Sequence, residues 1–313
     1  MRFVFMGTPR FAVPTLEALL KAGHDAAAVF TQPDRPKGRG RQLTLSPVKE
    51  CALAHGLRVE QPERIKRPES VEMLRHMGAD VMVVVGYGQI LPQSIIDLPR
   101  LGIINVHASL LPKYRGAAPI QWAIANGERT TGVTTMRIDA GLDTGNMLLS
   151  RQTAIGPEED AIELGARLSG MGAALLVETL DGLEKGSLAA TPQNNALASF
   201  APILKKEDGL IDWTMPAVRV HCRVRGLRPW PGTYTTFRGQ HLHIWRARIA
   251  DSGASGQPGR LYTRGQQLLA SCGENTALEL LEVQMEGRKK MPAPAFLNGQ
   301  RLIEYEVLGE SKP

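Results

Sequence analysis

The chain has 313 residues, of which 43% are hydrophobic, 22% are charged and 5% are aromatic. This composition supplies enough apolar material for a core and excludes disordered, collagen-like and disulfide-scaffold proteins, while the length fits two domains. Cys51, Cys222 and Cys272 are far apart and form no CxxC pair. We therefore expect neither disulfides nor a structural zinc site, and we expect the reducing cytoplasm as the compartment.

The apolar runs of the sequence are short. The run at 81–85 has the length of a strand, and the N-terminal apolar residues end at Gly7, too early for a signal peptide. We expect a soluble protein that does not contact membranes. The formal charge of +6 is uneven, because residues 201–313 carry most of the basic excess. A basic second segment favours a polyanionic partner, although ordinary solubilising charge is the simpler alternative.

Strands and helices alternate along the first part of the chain. The pattern predicts strands at 2–6, 26–30, 81–85, 103–106 and 131–138, and helices at 14–22, 46–55, 71–77 and 161–185. The run at 81–85 is β-branched on both faces, which is typical of a central parallel strand that is buried on both sides. This alternation predicts a doubly wound α/β domain.

The pattern changes from about residue 205, where short β-rich stretches alternate with glycine-rich turns. Strands are predicted at 232–237, 241–250, 259–262, 267–270 and 277–284, which indicates a small antiparallel barrel or sandwich. Residues 189–208 contain Pro192 and Pro202 and have the character of a linker. We expect a catalytic domain at 1–188, a linker at 189–208 and a second domain at 209–313.

Several familiar motifs are missing from the sequence. The turn after the first predicted strand is not GxGxxG, and the chain has no GxxxxGK, HExxH or GxSxG. Nicotinamide-dependent, nucleoside-triphosphate-dependent, zinc-protease and esterase functions therefore have no support.

Asn105 and His107 lie two residues apart at the end of a predicted strand. Their side chains should share a face at the carboxyl edge of the sheet, where open α/β sheets bind ligands. An amide beside an imidazole suits acyl transfer, because both donate to an oxygen that becomes negative in a tetrahedral intermediate. The simpler alternative is a loop-capping Asn and a His that is hydrogen-bonded to the backbone.

Acidic residues and glycines follow the next predicted strand, within residues 137–145. A carboxylate beside His107 would fix the tautomer of the imidazole and favour its protonated form. Asp139 and Asp143 are both candidates, and their spacing alone does not choose between them.

Three ordered motifs resemble the signature of the formyltetrahydrofolate-dependent formyltransferases. They are NVH at 105–107, SLLPKYRGAAP at 109–119 and GLDTG at 141–145. The resemblance implies a catalytic trio of Asn105, His107 and Asp143, and so selects Asp143 over Asp139. It also implies a Rossmann-like α/β catalytic domain, a C-terminal all-β domain like an OB-fold barrel, and 10-formyltetrahydrofolate as co-substrate without a metal.

The same resemblance assigns roles to individual residues. Asn105 and protonated His107 would stabilise the oxyanion, while Asp143 orients His107. The residues that it assigns to folate binding are Gly86, Tyr87, Gly88, Ser109, Leu110, Leu111, Pro112, Gly141 and Leu142.

Other segments are similar to those members of the family that formylate methionyl initiator tRNA. They are FTQPDRPKGRGR at 30–41 followed by SPVK at 46–49, FAP at 200–202 with IDW at 211–213, and RPWPG at 228–232. Guanidinium groups bind phosphates and stack on bases, although a basic segment alone is most simply a solvated surface. The resemblance implies that this loop contacts the acceptor stem of the tRNA, and we expect a monomer. The cations of the loop are Arg35, Lys37, Arg39 and Arg41.

Two other hypotheses remain. A formyltransferase of the same fold that acts on a small amine, such as glycinamide ribonucleotide or an amino sugar, would need neither the basic loop nor the second domain. A tRNA-binding protein without catalysis would not need the trio. In the second domain, a cluster of arginines is most simply solvated but could follow a tRNA backbone, and His241 and His243 lack a third metal ligand. The arginines are Arg219, Arg223, Arg225 and Arg228.

Overall fold

The structure, a computed structural model, describes residues 1–37, 42–251, 253–303 and 306–309. The chain divides into two compact units, each built from segments that are separated in sequence. The first unit contains Met1–Gly116, Thr130–Ala154 and Gly165–Phe200. The second unit contains Ala117–Arg129, Ile155–Leu164 and the chain from Ala201 onward.

The secondary structure follows the predicted alternation. In chain order, the strands are β1 (Arg2–Gly7), β2 (Asp25–Phe30), β3 (Arg35–Lys37), β4 (Gln42–Thr44), β5 (Val59–Glu60), β6 (Val81–Val85), β7 (Ile103–His107), β8 (Arg115–Gly116), β9 (Thr130–Arg137), β10 (Met147–Ala154), β11 (Phe200–Ala201), β12 (Thr233–Phe237), β13 (Gln240–Ile249), β14 (Leu261–Arg264), β15 (Gln267–Cys272), β16 (Thr276–Met285) and β17 (Met291–Pro292). The α-helices are α1 (Val13–Lys21), α2 (Pro47–Ala54), α3 (Pro68–His76), α4 (Gln93–Ile96), α5 (Pro119–Ala125), α6 (Ala161–Glu184), α7 (Ala217–Gly226) and α8 (Ala293–Gly299).

A mixed sheet forms the centre of the first unit. Its strand order is β10-β9-β7-β6-β1-β2-β5, with parallel pairing from β7 through β6, β1 and β2 to β5. This arrangement confirms the predicted strands and the buried central position of β6. Strand β9 runs antiparallel to β7, and β10 runs antiparallel to β9. The sequence did not predict β10, which forms an antiparallel edge on an otherwise parallel sheet.

Apolar cores cover both faces of this sheet. Ile104 and Val106 of β7 pack in the core that includes residues of α1, α2 and α6, whereas Ile103 packs in the core that includes residues of α3 and α4. Because side chains alternate along a strand, Asn105 and His107 lie on the same face as Ile103. The two polar residues therefore share a face, as the spacing predicts.

An antiparallel sheet forms the second unit. Its strand order is β12-β13-β16-β15-β14, and β17 pairs with β16. The predicted strands and the antiparallel character of this domain are confirmed. Helix α7 was not predicted, although Ala217, Val220 and Val224 follow helical spacing and are buried with Trp213 and Phe237 in the core of the unit.

Cys51, Cys222 and Cys272 are buried free thiols. Among the helices of the described residues, none is long and apolar enough to cross a membrane.

Candidate active site

The carboxyl end of β7 carries the two polar residues that the sequence singles out. Asn105 pairs with Val84 of β6 on one side and with Met136 of β9 on the other, and His107 pairs with Thr134 of β9. Both residues are thus held by a strand with hydrogen-bonded neighbours on each side, which makes their positions rigid. His107 is 5% exposed, and Asn105 is half-buried.

His107 has a hydrogen-bond acceptor beside each ring nitrogen. Its Nε2 lies 2.9 Å from the backbone oxygen of Tyr114, and since a carbonyl only accepts, Nε2 is the donor. Its Nδ1 lies 3.7 Å from Oδ2 of Asp143. Nε2 is engaged by the backbone, so Nδ1 is the nitrogen that can face a reacting group.

The carboxylate of Asp143 lies opposite both donors of the site. Its Oδ1 is 3.5 Å from Nδ2 of Asn105, and its Oδ2 accepts a hydrogen bond of 2.8 Å from the backbone N–H of Gly116. The bond from Gly116 holds the carboxylate, while the distances to Asn105 and His107 are at or beyond the limit of a hydrogen bond. Asn105 therefore retains donor capacity for an oxygen that enters beside Asp143, and His107 can donate to the same oxygen through Nδ1 when the ring is an imidazolium with a proton on both nitrogens.

The loop after β9 determines which aspartate reaches the histidine. Oδ1 of Asp139 accepts from the backbone of Gly141 at 3.0 Å and from Oγ1 of Thr144 at 2.7 Å, so this carboxylate closes its own loop. A Cβ at Gly145 would lie 1.8 Å from the backbone oxygen of Arg137, so only glycine allows the chain to turn back against β9. The structure thus brings Asp143, and not Asp139, to His107.

The segment after His107 is fixed to β9 by buried hydrogen bonds. Oγ1 of Thr134 donates to the backbone oxygen of Ser109 at 2.7 Å and accepts from the backbone of Leu111 at 3.2 Å. Ser109 and Leu111 are buried, whereas Leu110 and Pro112 are half-buried and reach the surface. Of these four proposed folate residues, Leu110 and Pro112 can therefore present side chains to a ligand.

The other proposed folate residues lie in two loops. Tyr87 is 1% exposed and packs in the core beside α3, and burial raises the pKa of its phenol. A ligand would therefore meet the loop at residues 86–88 through Gly86, Gly88 or the backbone. In the loop after β9, Gly141 is exposed and Leu142 is 62% exposed.

The predicted tRNA-binding loop is described only in part. Arg35 is exposed and begins β3, which ends at Lys37 and pairs with β4, whereas Arg39 and Arg41 lie outside the described residues. A polar cluster that the sequence did not reveal holds the base of this loop. Nζ of Lys49 contacts Oδ2 of Asp34 at 2.5 Å and Oε1 of Gln61 at 2.6 Å, and its hydrogen bond lowers the pKa of Asp34.

The arginine cluster of the second unit has structural partners. Arg219 donates to the backbone oxygen of Asn126, Arg223 to that of Asp208, Arg225 to those of Gly156 and Glu159, and Arg228 pairs with Asp160 at 2.8 Å. These contacts all lie within the second unit. The four side chains thus hold this unit together, and the view of them as a purely solvated face is wrong.

His241 and His243 belong to a row of rings on the antiparallel sheet. His243 stacks on Trp245 with a centroid distance of 5.5 Å, and His241 lies 5.3 Å from Tyr234. Over the residues that the structure describes, no group of three or more His, Cys, Asp or Glu side chains is arranged to hold a metal ion.

The sequence missed two residues near the trio. Gln193, which lies in the predicted linker, donates to the backbone oxygens of Asp143 and Gly145. Arg115 in turn donates to the side-chain oxygen of Gln193. Arg115 lies inside the second motif of the resemblance, but no local signal connects it to residue 193.

Comparison with known proteins gives the class of this site. The Formyl transferase family profile matches residues 1–180, and the profile of the Formyl transferase C-terminal domain matches residues 203–301. A solved structure of WlaRD, a sugar 3N-formyl transferase crystallised with dTDP and 5-N-formyl-THF, has the same fold. It superposes with a TM-score of 0.69 at 18% identity, over 92% of this chain and 99% of WlaRD.

Curated relatives with much higher identity narrow the class. The methionyl-tRNA formyltransferase of Solibacter usitatus is 65% identical over 310 residues, and the match covers 99% of both chains. The methionyl-tRNA formyltransferase of Koribacter versatilis is 58% identical over 310 residues with the same coverage. The chain therefore belongs to the methionyl-tRNA formyltransferase family.

Proposed function

We propose that this chain transfers the formyl group of 10-formyltetrahydrofolate to the α-amino group of methionyl initiator tRNA, giving formylmethionyl-tRNA for translation initiation. Family membership over almost the whole chain supports the reaction and its substrates. The observation that carries the assignment to residues is the convergence of Asn105, His107 and Asp143 at the carboxyl end of β7.

The geometry of the trio defines a role for each residue. Nδ2 of Asn105 and Nδ1–H of His107 donate to the formyl oxygen as negative charge develops on it during attack by the amine. Asp143 lies 3.7 Å from His107 and balances the positive charge of the doubly protonated imidazole. Its carboxylate also accepts the proton that the attacking amine loses, directly or through a water molecule. This proton then passes to N10 of the folate as the bond between the formyl carbon and N10 breaks.

Folate binding involves the loops that flank the trio. Leu110, Pro112 and Leu142 present apolar side chains at the surface and would contact the pterin. Gly86, Gly88 and Gly141 would contact it with backbone groups, while buried Ser109, Leu111 and Tyr87 would support these loops from behind. The co-substrate leaves after each turnover, and the trio supplies the chemistry without a metal.

Arg35, Lys37, Arg39 and Arg41 would contact the acceptor stem of the tRNA. The cluster of Lys49, Asp34 and Gln61 supports this proposal, because it anchors the chain directly before Arg35, whose side chain is exposed. We also propose the domain bounds 1–188 and 209–313 with a linker at 189–208, a monomeric state, and the cytoplasm as the compartment of the reaction.

The direct test of this function is formyl transfer by the purified chain from 10-formyltetrahydrofolate. We expect rapid formylation of charged initiator tRNA and no turnover of glycinamide ribonucleotide or of a nucleotide-linked amino sugar. Activity on a small amine alone would contradict the proposal and favour the sugar or nucleotide branch of the same fold.

A second experiment tests the basic loop. Arg39→Ala should raise KM for tRNA but not for folate, and should reduce the slope of log K against log salt by about one unit. Arg100→Ala is a matched control, because Arg100 is a surface arginine whose ion pair with Asp80 is exposed. An unchanged salt slope for Arg39→Ala, equal to that of the control, would remove this residue from the tRNA contact.

A further inference from the structure

Gln193 makes four hydrogen bonds beside the proposed catalytic carboxylate. Its Nε2 donates to the backbone oxygens of Asp143 and Gly145, at 2.8 Å each. Its Oε1 accepts from Nε of Arg115 at 3.0 Å and from Nη2 of Arg115 at 2.8 Å. The hydrogen-bonding capacity of the amide is thus fully used by three residues that are 50, 48 and 78 positions away in the chain.

The partners of Gln193 leave only one orientation for its amide. An arginine side chain only donates and a backbone oxygen only accepts, so Oε1 must face Arg115 and Nε2 must face the loop. Arg115 is 4% exposed, and its Nη2 also donates to Oδ1 of Asn195 at 2.8 Å. Charged donors form shorter and stronger hydrogen bonds, so Arg115 fixes the amide firmly.

The backbone that Gln193 holds has an unfavourable conformation. Asp143 has a φ of +51°, in the left-handed region that non-glycine residues rarely adopt. Such a conformation persists only where surrounding contacts enforce it. The two bonds from Gln193 supply such contacts on the backbone of residues 143 and 145, and the bond from Gly116 holds the carboxylate itself.

We propose that Gln193, oriented by Arg115, is a positioning residue for formyl transfer, which holds the loop at residues 143–145 so that the Asp143 carboxylate faces Asn105 and His107. The proposal depends on the proposed role of Asp143 in the reaction. It also places one residue of the predicted linker in the support of the active site. Gln193 itself touches neither the trio side chains nor the reacting atoms.

The first test separates positioning from binding. Gln193→Glu keeps an oxygen for Arg115 but has no donor for the loop, and Gln193→Leu removes both contacts. We expect kcat to fall about 10- to 100-fold in each variant, because displacements of about 1 Å in an active site have effects of this size. KM for 10-formyltetrahydrofolate and for tRNA should change less than about threefold, since no substrate contact is lost.

The second test asks whether Gln193 acts through Asp143. In a double-mutant cycle, Gln193→Glu should lower the single-turnover rate by less than about threefold when Asp143 is already replaced by Asn. A residue that only stabilises the fold would lower the rate by the same factor in both backgrounds. Arg115→Lys keeps the positive charge but loses the planar guanidinium that binds Oε1 of Gln193. We therefore expect Arg115→Lys to lower kcat by a smaller factor than the Gln193 variants do.

A matched glutamine-to-glutamate change elsewhere in the chain serves as the control for Gln193→Glu. Gln152→Glu makes the same change at an exposed position of β10, and it should leave kcat within about twofold of the wild type. Wild-type kcat in both Gln193 variants, or equal losses in the two Asp143 backgrounds, would overturn the proposal. If only one Gln193 variant folds, that variant carries the cycle, and Arg115→Lys replaces both if neither folds. Full activity of Asp143→Asn alone would instead overturn the proposed role of Asp143.

Discussion

Replacement of Asp143 by asparagine is the most informative single change in the trio. The amide is nearly isosteric with the carboxylate, and its oxygen can still accept from the backbone N–H of Gly116, now 2.8 Å from Oδ2. The substitution therefore removes the negative charge beside His107 and preserves the contact that holds the side chain. We expect the thermal stability to change little and the rate to fall strongly.

The size of the loss follows from the distance between the groups. Nδ1 of His107 and Oδ2 of Asp143 are 3.7 Å apart, and both side chains are largely buried. Unit charges about 4 Å apart attract each other by about 4 kcal/mol at an effective dielectric constant of about 20. Since each ~1.4 kcal/mol is a factor of ten, the full attraction corresponds to about 1,000-fold. Part of this attraction already acts before the amine attacks and does not lower the barrier. We therefore expect kcat/KM to fall about 100- to 1,000-fold.

The assay is formyl transfer to charged initiator tRNA, with the melting temperature as a check on folding. Asp139→Asn is the matched control, because its Oδ1 can still accept from Gly141 and Thr144. We expect the control to remain within about threefold of the wild type. If Asp143→Asn kept more than a tenth of the wild-type kcat/KM, the electrostatic role of this carboxylate would be refuted.

Three further changes test the surroundings of the site. Gly145→Ala should lower both the melting temperature and the activity, because its Cβ would lie 1.8 Å from the backbone oxygen of Arg137; an unchanged melting curve would contradict this packing. The buried hydroxyl of Tyr87 has no hydrogen-bond partner among the described residues. Tyr87→Phe should therefore preserve or slightly raise the melting temperature and leave KM for folate unchanged. A raised KM would show that the hydroxyl contacts folate. The hydrogen bond from Lys49 lowers the pKa of Asp34. The stabilisation that this bond gives the folded state is therefore complete above the ordinary carboxyl pKa, and it is lost as the pH falls through the lowered pKa of Asp34. Acidification should therefore lower the melting temperature of the wild type more than that of Asp34→Asn, and equal slopes would contradict this.

Much of the fold could be predicted because it depends on local patterns. The apolar run of β6 and the alternation along β13 and β16 indicate their burial directly. Strand β10 gave a weaker signal, since it lies at the edge of the sheet and most of its side chains are partly buried or exposed. The roles of the arginines in α7 depend on backbone oxygens of distant segments, which no local pattern encodes.

The positions of the proposed catalytic residues could be predicted to different extents for the same reason. The spacing of Asn105 and His107 on one strand is local, and it places both on one face. The choice between Asp139 and Asp143 required the resemblance, because it depends on how the loop turns back at Gly145 against Arg137. Gln193 gave no signal, since its partners at residues 115, 143 and 145 become neighbours only in the folded unit.

The role of each nitrogen of His107 is a property of the fold and not of the motif. Tyr114 has a φ of +60°, and this left-handed residue turns the chain so that its backbone oxygen lies 2.9 Å from Nε2. That bond leaves Nδ1 facing the carboxylate of Asp143, which also lies 3.5 Å from Nδ2 of Asn105. An Asn-x-His sequence on a strand whose following loop lacked this turn would share the motif without a fixed orientation of the imidazole ring. In the proposed reaction, the segment at residues 109–116 therefore determines which nitrogen of the His107 imidazolium faces the formyl oxygen.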